Sequence, residues 1–368
     1  MNRFAPSLSF YLGRQFLASL AGVVSVFLSL IVLFDTIELW RRTVRVEDAD
    51  LSTVFSLALL KAPHMIQDTL PFAVMIAVMF ALFRLARNYE LVIIRSAGVS
   101  AWQVLSPVMG LTVVLGLLNL ALLNPFAASL YAMHERMMFD LTNKSVTTLN
   151  IGDTGFWLRE AGENEAVIVH ARSVHQDAES LALSGVTILK VNSKNELLHR
   201  IEAETGYLRD GEFQLKNTWD MEPGKLAVNQ LQLTQKTTIT LAQIQNSFAD
   251  PETLSFWELP EFIEFSQAAG FSALPHRLYL QSLIAMPLLL CAMVLLAASF
   301  FLTTQARSAG WTIRSAAGVT AGFGVFFFAQ VTYALGLAGT LPLVLAAWAP
   351  SIVAALFGLT YLFYREDG

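Results

Sequence analysis

Cysteine and charge are the two things this sequence is poorest in. It has one cysteine in 368 residues, Cys291, within an apolar stretch, so disulfides staple no part of the chain. Charged residues make up 14%, against roughly 25% in a soluble domain. With 55% hydrophobic residues and a mean hydropathy of +0.53, the chain has too little polar surface to face water throughout. It reads as an integral membrane protein. Three chemical signatures are also missing: a G-x-x-x-x-G-K-[ST] phosphate loop, a Cys/His metal spacing and a G-x-S-x-G nucleophile turn. Any energy-driven work would therefore take its ATP from another chain.

What is present is long apolar runs. A helix crossing roughly 30 Å of hydrocarbon needs about 20 apolar residues. Six stretches meet this, at about 15–35, 58–83, 102–123, 278–302, 315–337 and 341–364. The first is charge-free from Gln15 to Phe34, too long for a signal-peptide core, and reads as an uncleaved span. The last two come from one charge-free run, Ser315 to Tyr364, divided by Gly336, Gly339 and Pro342.

Between the third and fourth stretches the charge balance changes. Residues 124–276 hold 20 acids and 11 bases, net -9; the remainder holds 9 and 13, net +4. This marks a water-facing insert, giving segments 1–123, 124–276 and 277–368. Lys and Arg in short loops set the orientation. With the N-terminus cytoplasmic, that side collects Arg3, Arg14, Arg84, Arg87, Arg95, Arg307, Arg314 and Arg365, against Arg41, Arg42, Arg45 and Lys61 opposite. Both termini are then cytoplasmic and the acidic insert lies outside, in the periplasm of a bacterium with two membranes.

The insert reads as β-structure. In "EFQLKNTWD" Phe213, Leu215 and Trp219 alternate with Gln214, Lys216 and Thr218, the period of a half-buried strand. Asp210-Gly211 signals a hairpin turn. Further strands are drawn at "FWLRE", "AVIVHAR", "GVTILKV", "QLQLTQ" and "TTITL", a spacing that suits a sandwich or jelly roll. The stretch "ETLSFWELPEFIEFSQAAGF" reads as short amphipathic helices returning to the membrane.

Several polar and small residues mark candidate sites. His64 and Asp68, one turn apart beside Pro63 and Pro71, have proton-relay spacing, or simply meet headgroups near the end of their span. Ala18, Gly22, Ser25 and Ser29 form a small-residue stripe on span 1, and Gly318 and Gly322 a GxxxG pair on span 5. Such stripes serve close helix packing, within the chain or with a partner's helix. Arg41, Arg42 and Arg45, joined by Lys61 and Arg136, are either interfacial anchors or contacts for one anionic lipid, since the guanidinium fork matches phosphate.

The short connection after span 2, "RNYELVIIRSAGVSAWQVL", has the pattern of a helix. At 100° per residue, Val92, Ile93 and Ser96 cluster with Tyr89, and Asn88, Leu91 and Arg95 lie opposite. Glu90 falls in an apolar sector, flanked by Ile94 and Ala97. Asn88 would cap the helix and Glu90 favour its dipole, but a carboxylate set among apolar groups also suits a greasy groove carrying a basic group on another protein. Gly98 is a plausible stop.

The six-span layout with its insert, "RNYELVIIRSAGVS", the "LNPFAA" exit from span 3 and "LPEFIEF" before span 4 together resemble the LptF/LptG permease family over essentially the whole chain. "LFDTIELWRR" and "LPFAVMIAVMFALFRLARNYELVIIRSAGVS" lean to the LptG branch. The resemblance implies a polytopic α-helical protein with a periplasmic jelly-roll-like domain. It implies a non-enzymatic subunit that exports lipopolysaccharide from the inner membrane of Gram-negative bacteria. The partners implied are LptF, a dimer of the ATPase LptB that uses ATP and Mg, and LptC, whose helix packs beside span 1; LptA lies beyond. The coupling helix, about 87–100, would dock through Glu90, with Leu91, Arg95, Ala97, Gly98 and Ser100 matching the pattern around it. A self-sufficient secondary transporter, an enzyme or sensor acting through the insert, and an exporter of another lipid are the competing readings.

Overall fold

The computed structural model describes residues 6–43, 50–142, 156–161, 165–176, 181–192, 197–209, 212–237, 250–268, 272–302 and 311–366. Arg3, Arg45, Arg307, the Asp210-Gly211 turn and most of "TTITL" lie outside them. Six helices are long and apolar enough to cross a membrane: Pro6–Thr43, Leu51–Arg87, Ala101–Met138, Leu274–Phe301, Thr312–Leu337 and Leu343–Tyr364. The first two spans form helices α1 (Pro6–Thr43) and α2 (Leu51–Arg87), followed by a short α3 (Glu90–Ser96). Span 3 joins α4 (Ala101–Leu118) to α5 (Asn124–Thr142) through a π-helical turn, Asn119–Leu123. It therefore runs well past residue 123, where hydropathy alone ended it.

A 3₁₀ turn, Pro251–Thr253, and α6 (Leu259–Ala268) are the short helices expected on the return path. Spans 4 to 6 are α7 (Leu274–Phe301), α8 (Trp311–Leu337) and α9 (Leu343–Glu366). The chain divides into two compact units, Met1–Met138 with Pro251–Leu259 and Leu274–Gly368, and Phe139–Asp250 with Pro260–Ala273.

In the helical unit α7 is central, packed against α2, α4, α8 and α9. Its Leu290, Met293, Val294 and Leu296 join Phe16, Val74, Met75 and Leu105 in one core. The two small-residue stripes separate here. A Cβ on Gly322 would lie 2.3 Å from Met75 Cε, so the span 5 pair serves packing inside the chain. Ala18, Gly22, Ser25 and Ser29 are all exposed, and a Cβ on Gly22 would meet nothing within 4 Å. Among the described residues, none packs closely on Gly22.

Among the described residues the insert holds one antiparallel sheet of six strands in sequential order: β1 (Phe156–Ala161), β2 (Glu165–Gln176), β3 (Leu181–Asn192), β4 (Leu197–Arg209), β5 (Glu212–Met221) and β6 (Val228–Lys236). The strand β4 was not drawn from sequence. Arg209 pairs with Glu212, which leaves only Asp210 and Gly211 to connect β4 to β5.

Across β3, β4 and β5 the inward-facing series slips by one residue at a common level. It reads Leu183, Val186, Ile188 in β3, Ile201, Ala203, Gly206, Leu208 in β4 and Phe213, Leu215, Thr218 in β5. Register holds on both sides of the slip, with Ser184↔Thr205↔Lys216 and Val186↔Ala203↔Thr218. Gly185 (φ 60°) and Asn217 (φ 53°) are left-handed at that level, and Asn217 donates to Glu204 Oε2 at 2.9 Å. The expected inward Trp219 is thus corrected: it is 49% exposed, and Thr218 is buried in its place. A left-handed residue rotates the pleat, so strict alternation fails past it.

Candidate coupling site and charged rim

The α3 helix is built by its ends. Span 2 stops at Asn88, whose N–H caps it on the Arg84 and Ala86 carbonyls. Tyr89 then takes a left-handed turn (φ 61°) and redirects the chain into α3. The expected cap by Asn88 is therefore corrected, because Tyr89 occupies that place and Asn88 belongs to the preceding helix. At the far end Gly98 is left-handed (φ 83°), a conformation that costs an L-residue about 1–2 kcal/mol. Ser100 begins the next helix through a capping box, its hydroxyl accepting from the Gln103 N–H while the Gln103 side chain accepts from the Ser100 N–H. Gly98, which is exposed, and Ser100 thus shape the connection between α3 and span 3.

Two faces of α3 differ sharply. Leu91 is fully buried in the helical core, so among the expected coupling residues it anchors the helix and does not face a partner. Tyr89, Val92 and Ile93 are exposed, Ile93 at 65%, and form one apolar surface. Arg95 is half-buried in the last turn, and Ala97 is exposed beside it.

Glu90 lies at the edge of that surface and is held from within the chain. The Tyr11 hydroxyl of span 1 donates to Oε2 at 2.6 Å, and Asn88 Nδ2 donates to Oε1 at 3.1 Å. Two donors offset the desolvation that an unpaired carboxylate would suffer there. Tyr11 lies 79 positions away in sequence and carries no local signal of this role.

At the opposite end of the spans the basic residues have acidic partners. Glu38 takes Arg41 at 2.8 Å and Arg42 at 2.7 Å, yet both guanidiniums stay well exposed. Lys61 pairs with Asp35 at 3.0 Å between spans 1 and 2, with both side chains largely buried. Arg136 is exposed on α5. The sequence points to these bases, but not to their pairing with Asp35 and Glu38.

His64 and Asp68 do come together, at 3.4 Å, and Glu252 from the return segment adds a closer contact to His64 at 2.8 Å. The His64 ring stacks on Tyr131 of α5, with centroids 4.7 Å apart. Nearby, the fully buried Asn124 ties three segments: its amide donates to the Tyr279 hydroxyl at 3.3 Å and its carbonyl accepts from the Phe256 N–H at 2.7 Å. Asn124 opens the "NPFAA" run, whose structural use no composition argument reveals.

The family model described as "Lipopolysaccharide export system permease LptF/LptG" matches residues 10–365. Two curated relatives, both named lipopolysaccharide export system permease protein LptG, come from Escherichia coli strains K12 and O6:H1. Each is 26% identical over 318 residues, covering 84% of either chain. With six apolar helices and a sheet inserted after the third, the chain belongs to the LptF/LptG permease family.

Proposed function

We propose that this chain is a permease subunit of an ABC-type transporter that lifts lipopolysaccharide out of the inner membrane toward the outer membrane. The observation that carries the reading is α3: an exposed apolar surface of Tyr89, Val92 and Ile93 with Glu90 at its edge, anchored from behind by Leu91. Such a surface is suited to another protein. In this reading the partner is a dimer of the ATPase LptB, which binds and hydrolyses ATP with Mg. A second permease of the LptF type completes the membrane part, and LptC and LptA receive the lipid.

The chain is a multi-pass protein of the inner membrane. In the orientation that places α3 on the cytoplasmic side, the sheet unit faces the periplasm. Lipopolysaccharide enters from the outer leaflet, its acyl chains against apolar side chains of the spans and its phosphates near Arg41 and Arg42. Each CH₂ withdrawn into water costs about 0.8 kcal/mol, so a continuous apolar path must follow the membrane cavity. The sheet has one apolar face, with Ile188, Ile201 and Phe213, and that face is buried.

The test is co-purification with the candidate ATPase and ATP-driven lipid release in proteoliposomes, for the wild type and Glu90→Lys. Loss of both with normal folding is expected. Survival of complex and release with the charge reversed would reject the coupling role. A proton-coupled secondary transporter is a second reading, favoured only by the His64, Asp68 and Glu252 cluster; it requires transport without any ATPase.

A further inference from the structure

Between spans 1 and 2 runs an open groove of about 950 Å³ whose two ends differ in chemistry. Next to α3 it is lined by Gln15, Ser19, Arg84, Arg87 and Asn88; farther along, its walls are Val23, Val26, Phe27, Ile76 and Phe80. Gly22 forms part of the floor, and the absence of a side chain there keeps the groove open. From Gln15 to Phe27 is twelve residues of helix, about 18 Å. That is close to half of a hydrocarbon layer roughly 30 Å thick. The groove is one leaflet deep.

We infer that this groove holds one anionic glycerophospholipid of the cytoplasmic leaflet, its phosphate between Arg84 and Arg87 and its acyl chains along the Phe27 and Phe80 walls. The order of chemistry along the groove is that of the lipid itself: cationic and hydrogen-bonding groups at the interface, hydrocarbon beyond. Guanidiniums suit phosphate because their paired N–H groups match its oxygens, and basic pockets between spans on the cytoplasmic side favour anionic headgroups. Arg84 and Arg87 are one turn apart on α2 and both exposed, and neither is ion-paired to a described residue, whereas Arg41 and Arg42 share the single carboxylate of Glu38. A partner helix would fill the Phe27 half, but it would satisfy Arg84 and Arg87 only by carrying a carboxylate at its cytoplasmic end. A lipid meets both halves. The inference rests on α3 lying at the cytoplasmic side, and not on which lipid the transporter exports.

Native mass spectrometry of the full chain, purified with whatever partners accompany it and equilibrated in phosphatidylcholine, tests this by titration with phosphatidylglycerol. The wild type should prefer phosphatidylglycerol. Arg84→Gln/Arg87→Gln should weaken that preference by roughly tenfold or more, at about 1 kcal/mol per basic residue. Gly22→Leu keeps both arginines and should lower occupancy by either lipid. Inorganic phosphate alone should not compete, because it lacks the chains. A photo-crosslinking residue at Val26 should capture lipid. Equal retention of both lipids by the wild type and the double variant, displacement by inorganic phosphate, or crosslinks at Val26 to a protein helix only would each overturn the inference. ATP-driven release of lipopolysaccharide, followed in parallel, reports on the export reading separately: its absence alongside intact lipid selectivity counts against export and not against the groove.

Discussion

The Tyr11 hydroxyl, near the start of span 1, donates to Glu90 Oε2 at 2.6 Å, tying the first helix of the chain to the short helix after the second. On the proposed coupling reading, a push on α3 would reach span 1 through this bond as well as spans 2 and 3 through the chain. Span 1 packs on α2 and α4 and leaves most of its apolar surface exposed.

Removing that link should weaken coupling without unfolding the protein. Tyr11→Phe deletes only the hydroxyl, and a hydrogen bond to a charged acceptor is worth about 1.5–3 kcal/mol when buried, less at this half-buried site. We expect a fall of several-fold in lipid released per ATP hydrolysed, with thermal unfolding nearly unchanged. Equal efficiency in the variant would show that the hydroxyl merely satisfies Glu90.

The two faces of α3 should respond in opposite ways. Leu91→Ala removes a fully buried side chain and should destabilise the helical unit by about 2–5 kcal/mol, visible in a melting experiment in detergent. Ile93→Asp places a charge on an exposed apolar surface, so it should leave melting unchanged and abolish ATPase co-purification. A melting loss for Ile93→Asp, or complex loss without a melting change for Leu91→Ala, would reverse the assignment of faces.

Gly98→Ala should cost about 1–2 kcal/mol, because the residue is left-handed although a Cβ would meet no neighbour. Gly98→Asn, better tolerated in that conformation, should recover part of the loss. If both variants melt like the wild type, the turn is not fixed by backbone conformation.

In the sheet, Asn217→Val combines a β-branched side chain with a left-handed backbone and deletes the bond to Glu204. It should destabilise the sheet unit by more than about 1 kcal/mol, whereas Asn217→Gly should come near the wild type. Hydrogen exchange in β4 and β5 of the intact protein reads both. Stronger protection in Asn217→Val would mean that the slip is not set by this residue.

Asn124→Leu is nearly isosteric but strands the Phe256 N–H, whose partner is the Asn124 carbonyl at 2.7 Å. A buried donor left unsatisfied costs about 1–3 kcal/mol. Faster exchange at Phe256 and easier proteolysis of residues 250–258 are expected. Unchanged protection there would show that the return segment is held by other contacts.

The number of the spans and their apolar centres followed from the sequence alone, because burying backbone in hydrocarbon demands long unbroken apolar helices; their ends, as in span 3, did not. The insert followed from its charge, most of its strands from alternation, and the α3 helix from its apolar wheel with Glu90 on the flank. Tertiary structure decided everything that depends on two distant segments meeting. Alternation did not mark β4, whose inward series changes phase from Ile201 and Ala203 to Gly206 and Leu208. The wheel could not tell that Leu91 turns inward, since an apolar side chain suits either a core or a partner. Nor could it supply Tyr11 for Glu90, Glu38 for the arginines or Glu252 for His64. Periodicity is a property of one segment and can be read along it. Which side chain neutralises a buried or interfacial charge depends on how helices pack, and that is fixed only when the chain is folded.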